Sequence, residues 1–356
     1  MINISTNLKL TCMRLVLTFS FVTLVLSQPA LGMSADDWNL KLFGHAEVAT
    51  GEDALISDAF ELGEAALFMT GRLSSKWSIL SEISLLPKRY RADTVKVERL
   101  RLRYEISTNH WMSFGKMHTP VNEWNDAFHH GRLFFPSIDR PFAFSEFVPI
   151  HEVGLRVSGE NLGSKRLFYD LVLGSGQSAG DDVFPFGVKS FTASAGFWPT
   201  DNLKLRFAAY RDTLIDHLLD SSHGAEHNAM MGDMVSEDLK YNAYGASLIY
   251  NSPNFEALTE LLLFRSEGSD TSYSIYQRVA FPGVGPLKPY LFGDYLKVDQ
   301  KERHFAAGEN KKLGVGLEWL LGSAASLKFE TTREDVNRGN RVTAGTAFRL
   351  QFAFGI

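Results

Sequence analysis

The last sixteen residues, Arg341 to Ile356, leave the chain few ways to fold. Their even positions read Val342, Ala344, Thr346, Phe348, Leu350, Phe352, Phe354 and Ile356. The odd positions read Arg341, Thr343, Gly345, Ala347, Arg349, Gln351, Ala353 and Gly355. A strand sends alternate side chains to opposite faces. One face of this stretch is therefore apolar and ends in aromatics, while the other is small or charged. The stretch also exceeds the roughly 9–11 residues that a tilted strand needs to cross hydrocarbon. Length and aromatic content together predict a strand with one face against lipid.

Fifteen earlier segments repeat this pattern with varying clarity: 38–48, 60–73, 76–86, 95–106, 110–118, 150–159, 165–173, 188–198, 203–211, 239–250, 255–265, 273–281, 287–298, 312–321 and 327–332. Turn residues separate them. After the even-numbered segments the connections are short, as in Pro199-Thr200-Asp201-Asn202 and Asn251-Ser252-Pro253-Asn254. Gly and Asn there tolerate positive φ, and Pro presets its own φ. After the odd-numbered segments most connections are longer, up to residues 119–149. Short turns at one end and long loops at the other predict an all-β, antiparallel, up-and-down transmembrane β-barrel of about sixteen strands. Mean hydropathy is only −0.09 with 45% hydrophobic residues, because charged inward positions dilute the outward ones.

The N-terminus reads as a leader. Lys9 and Arg14 precede the apolar run 15–26, which is short for a helical span of about 20 residues. Ala30-Leu31-Gly32 then supplies a small-x-small cleavage pattern, so residues 1–32 are expected to be a signal peptide and 33–356 one barrel domain. Cys12, the one cysteine, falls in the leader. Removing the leader takes away Lys9 and Arg14 but no acid, so the net charge of −5 becomes −7. An acidic chain is a poor nucleic-acid partner.

Several features carry candidate chemistry. Residues 119–149 hold Trp124 and six phenylalanines, from Phe128 to Phe147. So apolar a loop must bury itself, most simply inside the barrel; a folded extracellular cap is the other solution. Arg99, Arg101 and Arg103 recur at period two. Facing lipid near the midplane each would cost about 2–4 kcal/mol, so they are expected in the lumen, with a bulge near Glu98 switching the face. Guanidiniums in a pore attract anions and bind phosphate or carboxylate bidentately. Lys116, at the entrance to the long loop, and Arg132 and Arg140 within it complete the candidate pore-lining cations. Inward parity collects eleven bases, among them Arg156, Lys204, Arg206, Lys312, Lys328 and Arg349, against seven acids, a surplus of four. His217, His223 and His227 with Met230, Met231 and Met234 could hold a soft metal, but their spacing fits no defined site, and solvated loop histidines are commoner. There is no His-Glu-x-x-His and no Gly-rich phosphate loop, so the chain is not expected to be an enzyme, and no cofactor or metal is expected.

The terminal stretch resembles the last strand of bacterial outer-membrane barrels, whose final aromatic is read by the assembly machinery. Here Ile356 ends the chain and Phe354 stands two residues earlier. Loop order, with Phe114-Gly115-Lys116-Met117-His118-Thr119-Pro120, resembles a porin, nearest the phosphate-selective porin O/P group. Residues 119–149 take the place of the inward-folded third loop of sixteen-stranded porins. The resemblance implies an outer-membrane porin passing small hydrophilic solutes, anionic or neutral, with mild anion preference. It also implies outer-membrane lipid and lipopolysaccharide as surroundings, and a homotrimer. A barrel enzyme of lipase or protease type and a closed structural or adhesive barrel are the alternatives.

Overall fold

In a computed structural model the chain is described over residues 37–52, 59–85, 95–128, 131–144, 146–179, 190–214, 238–282 and 285–356. The leader, His129-His130 and the His/Met-rich segment 215–237 lie outside those residues. Each alternating segment corresponds to a strand. They are β1 Trp38–Gly51, β2 Ala59–Arg72, β3 Trp77–Leu85, β4 Val95–Ser107, β5 His110–His118, β6 His151–Leu162, β7 Leu167–Gly174 and β8 Ser190–Thr200. The second half comprises β9 Leu203–Leu214, β10 Leu239–Asn251, β11 Glu256–Ser266, β12 Ser272–Ala280, β13 Leu287–Val298, β14 Gly308–Leu320, β15 Ala325–Arg338 and β16 Arg341–Gly355. Each strand pairs antiparallel with its sequence neighbours, and β1 pairs with β16, which closes the sheet. Ile356 completes the seam: its N–H donates to the Leu42 carbonyl at 2.9 Å, and Leu42 N–H returns the bond at 2.7 Å. Closure leaves no free edge, so the backbone is satisfied without water, as hydrocarbon requires.

The outward face of β16 carries Phe348 and Phe352, both exposed, while Ala347, Gln351 and Ala353 are buried on the inner side. The same parity exposes Leu313 and Val315 on β14 and Phe207 on β9. At β4 the register shifts so that Arg99 opposes Glu82 and Val97 opposes Ile83, leaving Glu98 bulged. Val95 and Val97 thus stay outside while the arginines turn in.

β15 differs from the sequence expectation. It runs beyond Thr332 to Arg338 and turns into β16 across Gly339-Asn340, where Gly339 takes φ 60°. Its outer end carries charge on both faces, with Arg333 and Asp335 exposed and Glu334 buried, so the alternation fades although the ladder continues. One connection on the long-loop side is therefore a tight turn.

The apolar core lies inside the barrel. The described residues of 119–149 fold into the lumen, and Val121, Phe147 and Val148 pack against Tyr210, Tyr241, Phe264, Leu296 and Phe305. Trp124, Phe135 and Phe144 pack against Leu258, Tyr276, Tyr290 and Phe292. Phe147 stacks on Phe264 at 4.0 Å between centroids, and Trp124 meets Tyr276 edge-on at 5.5 Å. Each fully buried phenylalanine contributes about 1.5–3 kcal/mol. The loop is thus an internal lining and not an extracellular cap.

Candidate functional site

The inserted loop narrows the lumen, and charged wall residues fix its path. Thr119 N–H bonds to the Ile150 carbonyl across the loop's stem, and Asn125 Nδ2 donates to the Thr119 and Ile150 carbonyls at 2.7 and 3.1 Å. A single helical turn, α1 Glu123–Ala127, is capped by Asn122, whose side chain accepts from Asn125 N–H at 2.8 Å. The turn aims two acids at β9 and β6. Glu123 pairs with Lys204 at 2.6 Å and Arg206 at 3.2 Å. Asp126 pairs with Arg206 at 2.7 Å and Arg156 at 3.5 Å. Burial alone would raise the Asp126 carboxyl, but Arg206 and Arg156 hold it far below the carboxylate range.

Beyond α1, wall carboxylates capture the loop's backbone. Glu260 accepts from Trp124 N–H at 2.9 Å. Glu330 accepts from Ile138 and Asp139 N–H at 2.8 and 3.2 Å and from the Tyr290 hydroxyl at 2.8 Å. Asp294 accepts from Phe142 N–H at 2.5 Å. Lys328, fully buried, donates to the Arg132 and Phe135 carbonyls at 2.9 and 2.7 Å. Asp139 is gripped by Lys312 and lies 3.6 Å from Arg349. Burial pushes its carboxyl up, but these two cations outweigh that and hold it at about 2.

Most inward bases are therefore committed to the loop. The expected surplus of four also dissolves. Glu98, Asp170, Asp212, Glu260 and Asp294 are buried acids outside that tally, and Glu123, Asp126, Asp139 and Glu146 arrive with the loop. These nine outnumber the six additional bases, Lys116, Arg278, Lys288 and Arg338 of the wall and Arg132 and Arg140 of the loop. β11, β12 and β13 hid their charges because both faces of these strands are largely apolar, one towards lipid and one towards the loop.

The predicted cations divide. Arg99 donates from Nε to Glu82 at 2.7 Å and lies over Phe68. Lys116 is buried, with Nζ donating to the Val97 carbonyl at 2.7 Å. Gly115 beside it takes φ 112°, and a Cβ there would fall 2.1 Å from the Leu100 carbonyl oxygen. Arg132 and Arg140 face a narrow crevice with Phe43, His45 and Glu64, and both lie over the Phe135 ring. Burial, then the neighbouring Arg132, lowers Arg140 from its usual value.

Arg101 and Arg103 remain. Neither has a carboxylate ion-pair partner among the described residues. Arg103 stacks on Trp111, 4.0 Å from the ring centroid, and Arg101 Nε is buried without a hydrogen-bond partner. Both line a cavity of about 670 Å³ with Asp37, Asn39, Thr70, Arg72 and Ser78. Trp111 was not marked by the sequence, although its place opposite Glu105 on the neighbouring strand puts it beside the column. One enzyme-like spelling exists, Gly176-Gln177-Ser178-Ala179-Gly180. Ser178 sits in a 3-10 turn after β7 and is buried, which is not the exposed strand-to-helix elbow that such a nucleophile needs.

No protein-family model matches the chain, and no curated protein does. Solved structures share its fold at low identity. An anion-selective porin from Comamonas acidovorans superposes with TM-score 0.63 at 11% identity, over 90% of this chain and 100% of that one. Pseudomonas putida OprB, in a high-pH structure, gives 0.62 at 10%, over 90% and 94%. The trimer form of Vibrio cholerae OmpT, an outer-membrane protein, gives 0.60 at 13%, over 90% and 99%. The fold of this chain is that of an outer-membrane porin barrel.

Proposed function

We propose that this chain is a bacterial outer-membrane porin through which small hydrophilic solutes diffuse, with a preference for anions bearing phosphate or carboxylate groups. The carrying observation is the contrast within the lumen: bases on the loop-covered side are ion-paired, whereas Arg101 and Arg103 face a cavity that adds Arg72 and a single acid, Asp37, and neither of the two is ion-paired to a carboxylate among the described residues. A small anion there meets two guanidiniums able to bind it in fork geometry. The selectivity is local, since acids offset most of the inward bases among the described residues. The leader 1–32 would direct export and leave the mature barrel. A homotrimer is the favoured assembly, supported by the trimer form of a protein of like fold.

Planar-bilayer recording of the purified mature protein tests this reading. The expected result is discrete current steps and, in a salt gradient, a reversal potential on the anion side. Arg101→Gln/Arg103→Gln should move that potential towards zero without abolishing the steps. Absent steps would remove the pore, and an unchanged potential would remove the arginines from its selectivity.

A further inference from the structure

The outer wall carries a second set of unneutralised cations, far from the pore. On β9 the outward positions run Leu205, Phe207, Ala209 and then Arg211. On β11 they run Leu261, Leu263 and then Arg265. Asn242 of β10 lies between, directly opposite both Arg211 and Arg265. All three belong to the strand ends that meet the long loops, which is the extracellular side of such a barrel. Arg211 and Arg265 are exposed, and neither has an ion-pair partner among the described residues. Three other outward bases on this rim are paired, Lys240 with Glu267 at 4.0 Å, Lys311 with Glu309 at 2.8 Å and Arg333 with Glu52 at 3.3 Å.

Below this row the wall turns apolar. Tyr244 pairs with Ala209 and Leu263 in the next outward layer, and Ala246 with Phe207 and Leu261 in the one beneath. Phe207 and Tyr244 are more than half exposed, and the small Ala209 and Ala246 stand beside them. Two strand spacings of about 4.8 Å separate Arg211 from Arg265, so both guanidiniums can reach one group held over Asn242. A cationic row above an aromatic and aliphatic shelf matches an amphiphile with a phosphorylated head and acyl chains.

We infer that Arg211, Asn242 and Arg265 form an outward-facing site for the phosphate of an outer-leaflet lipid, the phosphorylated headgroup of lipopolysaccharide, whose chains lie along Phe207, Ala209, Tyr244 and Leu263. The site rests on the outer-membrane reading above but makes no use of the pore.

The test counts lipopolysaccharide retained by the full mature protein in mild detergent, by native mass spectrometry. Arg211→Gln/Arg265→Gln should retain it on the order of tenfold less tightly, the loss expected when charge-assisted bonds to phosphate are removed. Arg211→Lys/Arg265→Lys should recover part of the binding, since charge persists without the fork. Dephosphorylated lipopolysaccharide should bind wild type and the glutamine variant equally weakly. Equal retention of the phosphorylated lipid by both would overturn the site. Inorganic phosphate binding wild type as tightly as the lipid would overturn the lipid as ligand. A boiled-against-unboiled gel and single-channel steps report the barrel and the pore separately, so failure of the membrane reading is distinguishable from failure of this site.

Discussion

The two sides of the lumen use the same kind of residue for different ends. Along β9 to β16 the inner wall presents Arg206, Lys312, Lys328 and Arg349, each tied to an acid or carbonyl of the inserted loop or its neighbours. Along β4 the wall presents Arg101 and Arg103, which have no such partner. The difference follows from where the loop lies. Its aromatics cover β9 to β13 and its stretch from Arg132 to Asp139 reaches β14 to β16, so the bases there are desolvated, and a buried charge must be paired. The β4 side borders the open cavity, where water leaves a guanidinium free to meet a solute. Counting bases by parity therefore says little about selectivity until the covered wall is known.

The largest test of that contrast is Trp124→Ala, on the covered side. Trp124 is buried among Phe128, Phe135, Phe144 and Tyr276. Its truncation should cost about 3–5 kcal/mol of loop docking, seen as larger and noisier single-channel conductance with reversal potential nearly unchanged. Glu330→Ala comes next. It orphans the N–H groups of Ile138 and Asp139, at about 1–3 kcal/mol for each left unsatisfied, and should lower the temperature at which the folded band is lost on an unboiled gel. An altered reversal potential with unaltered conductance in either variant would erase the distinction between the two walls. On the open side, Trp111→Leu should cost under about 1 kcal/mol, the worth of an accessible cation–π contact. It should reduce anion preference modestly and leave gel migration as in wild type.

Legibility in the sequence followed the same division. The bounds of β5 and β13 were predicted residue for residue, and β16 and the bulge at Glu98 were readable because one solvent lies on each of their faces. β12 and β13 hid Arg278 and Asp294, since a wall buried on both sides loses its alternation. The outer end of β15 was read as a loop for the opposite reason, being polar on both faces. That residues 119–150 turn inward was deducible from their phenylalanines, but which wall they would cover was not. That choice depends on complementarity between Trp124, Phe135 and Phe147 and aromatics from five strands distant in sequence, a tertiary relation that no local pattern encodes.

The smallest effect concerns acid. The Asp139 carboxyl, held at about 2 by Lys312 and Arg349 against its burial, has a folded value below that of the unfolded chain, near 3.9. Its contribution is fully present above the unfolded value and is lost as pH falls through the folded one. Asp139→Asn should therefore unfold at a lower temperature than wild type at pH 7, and the gap should persist to about pH 4 and close towards pH 2. A gap already closed at pH 5 would mean that Lys312 and Arg349 do not hold this carboxylate. Glu334, 3.6 Å from Lys312 and 3.8 Å from Arg349, would then be left to balance two cations alone, and the covered wall would compete with the open one for anions.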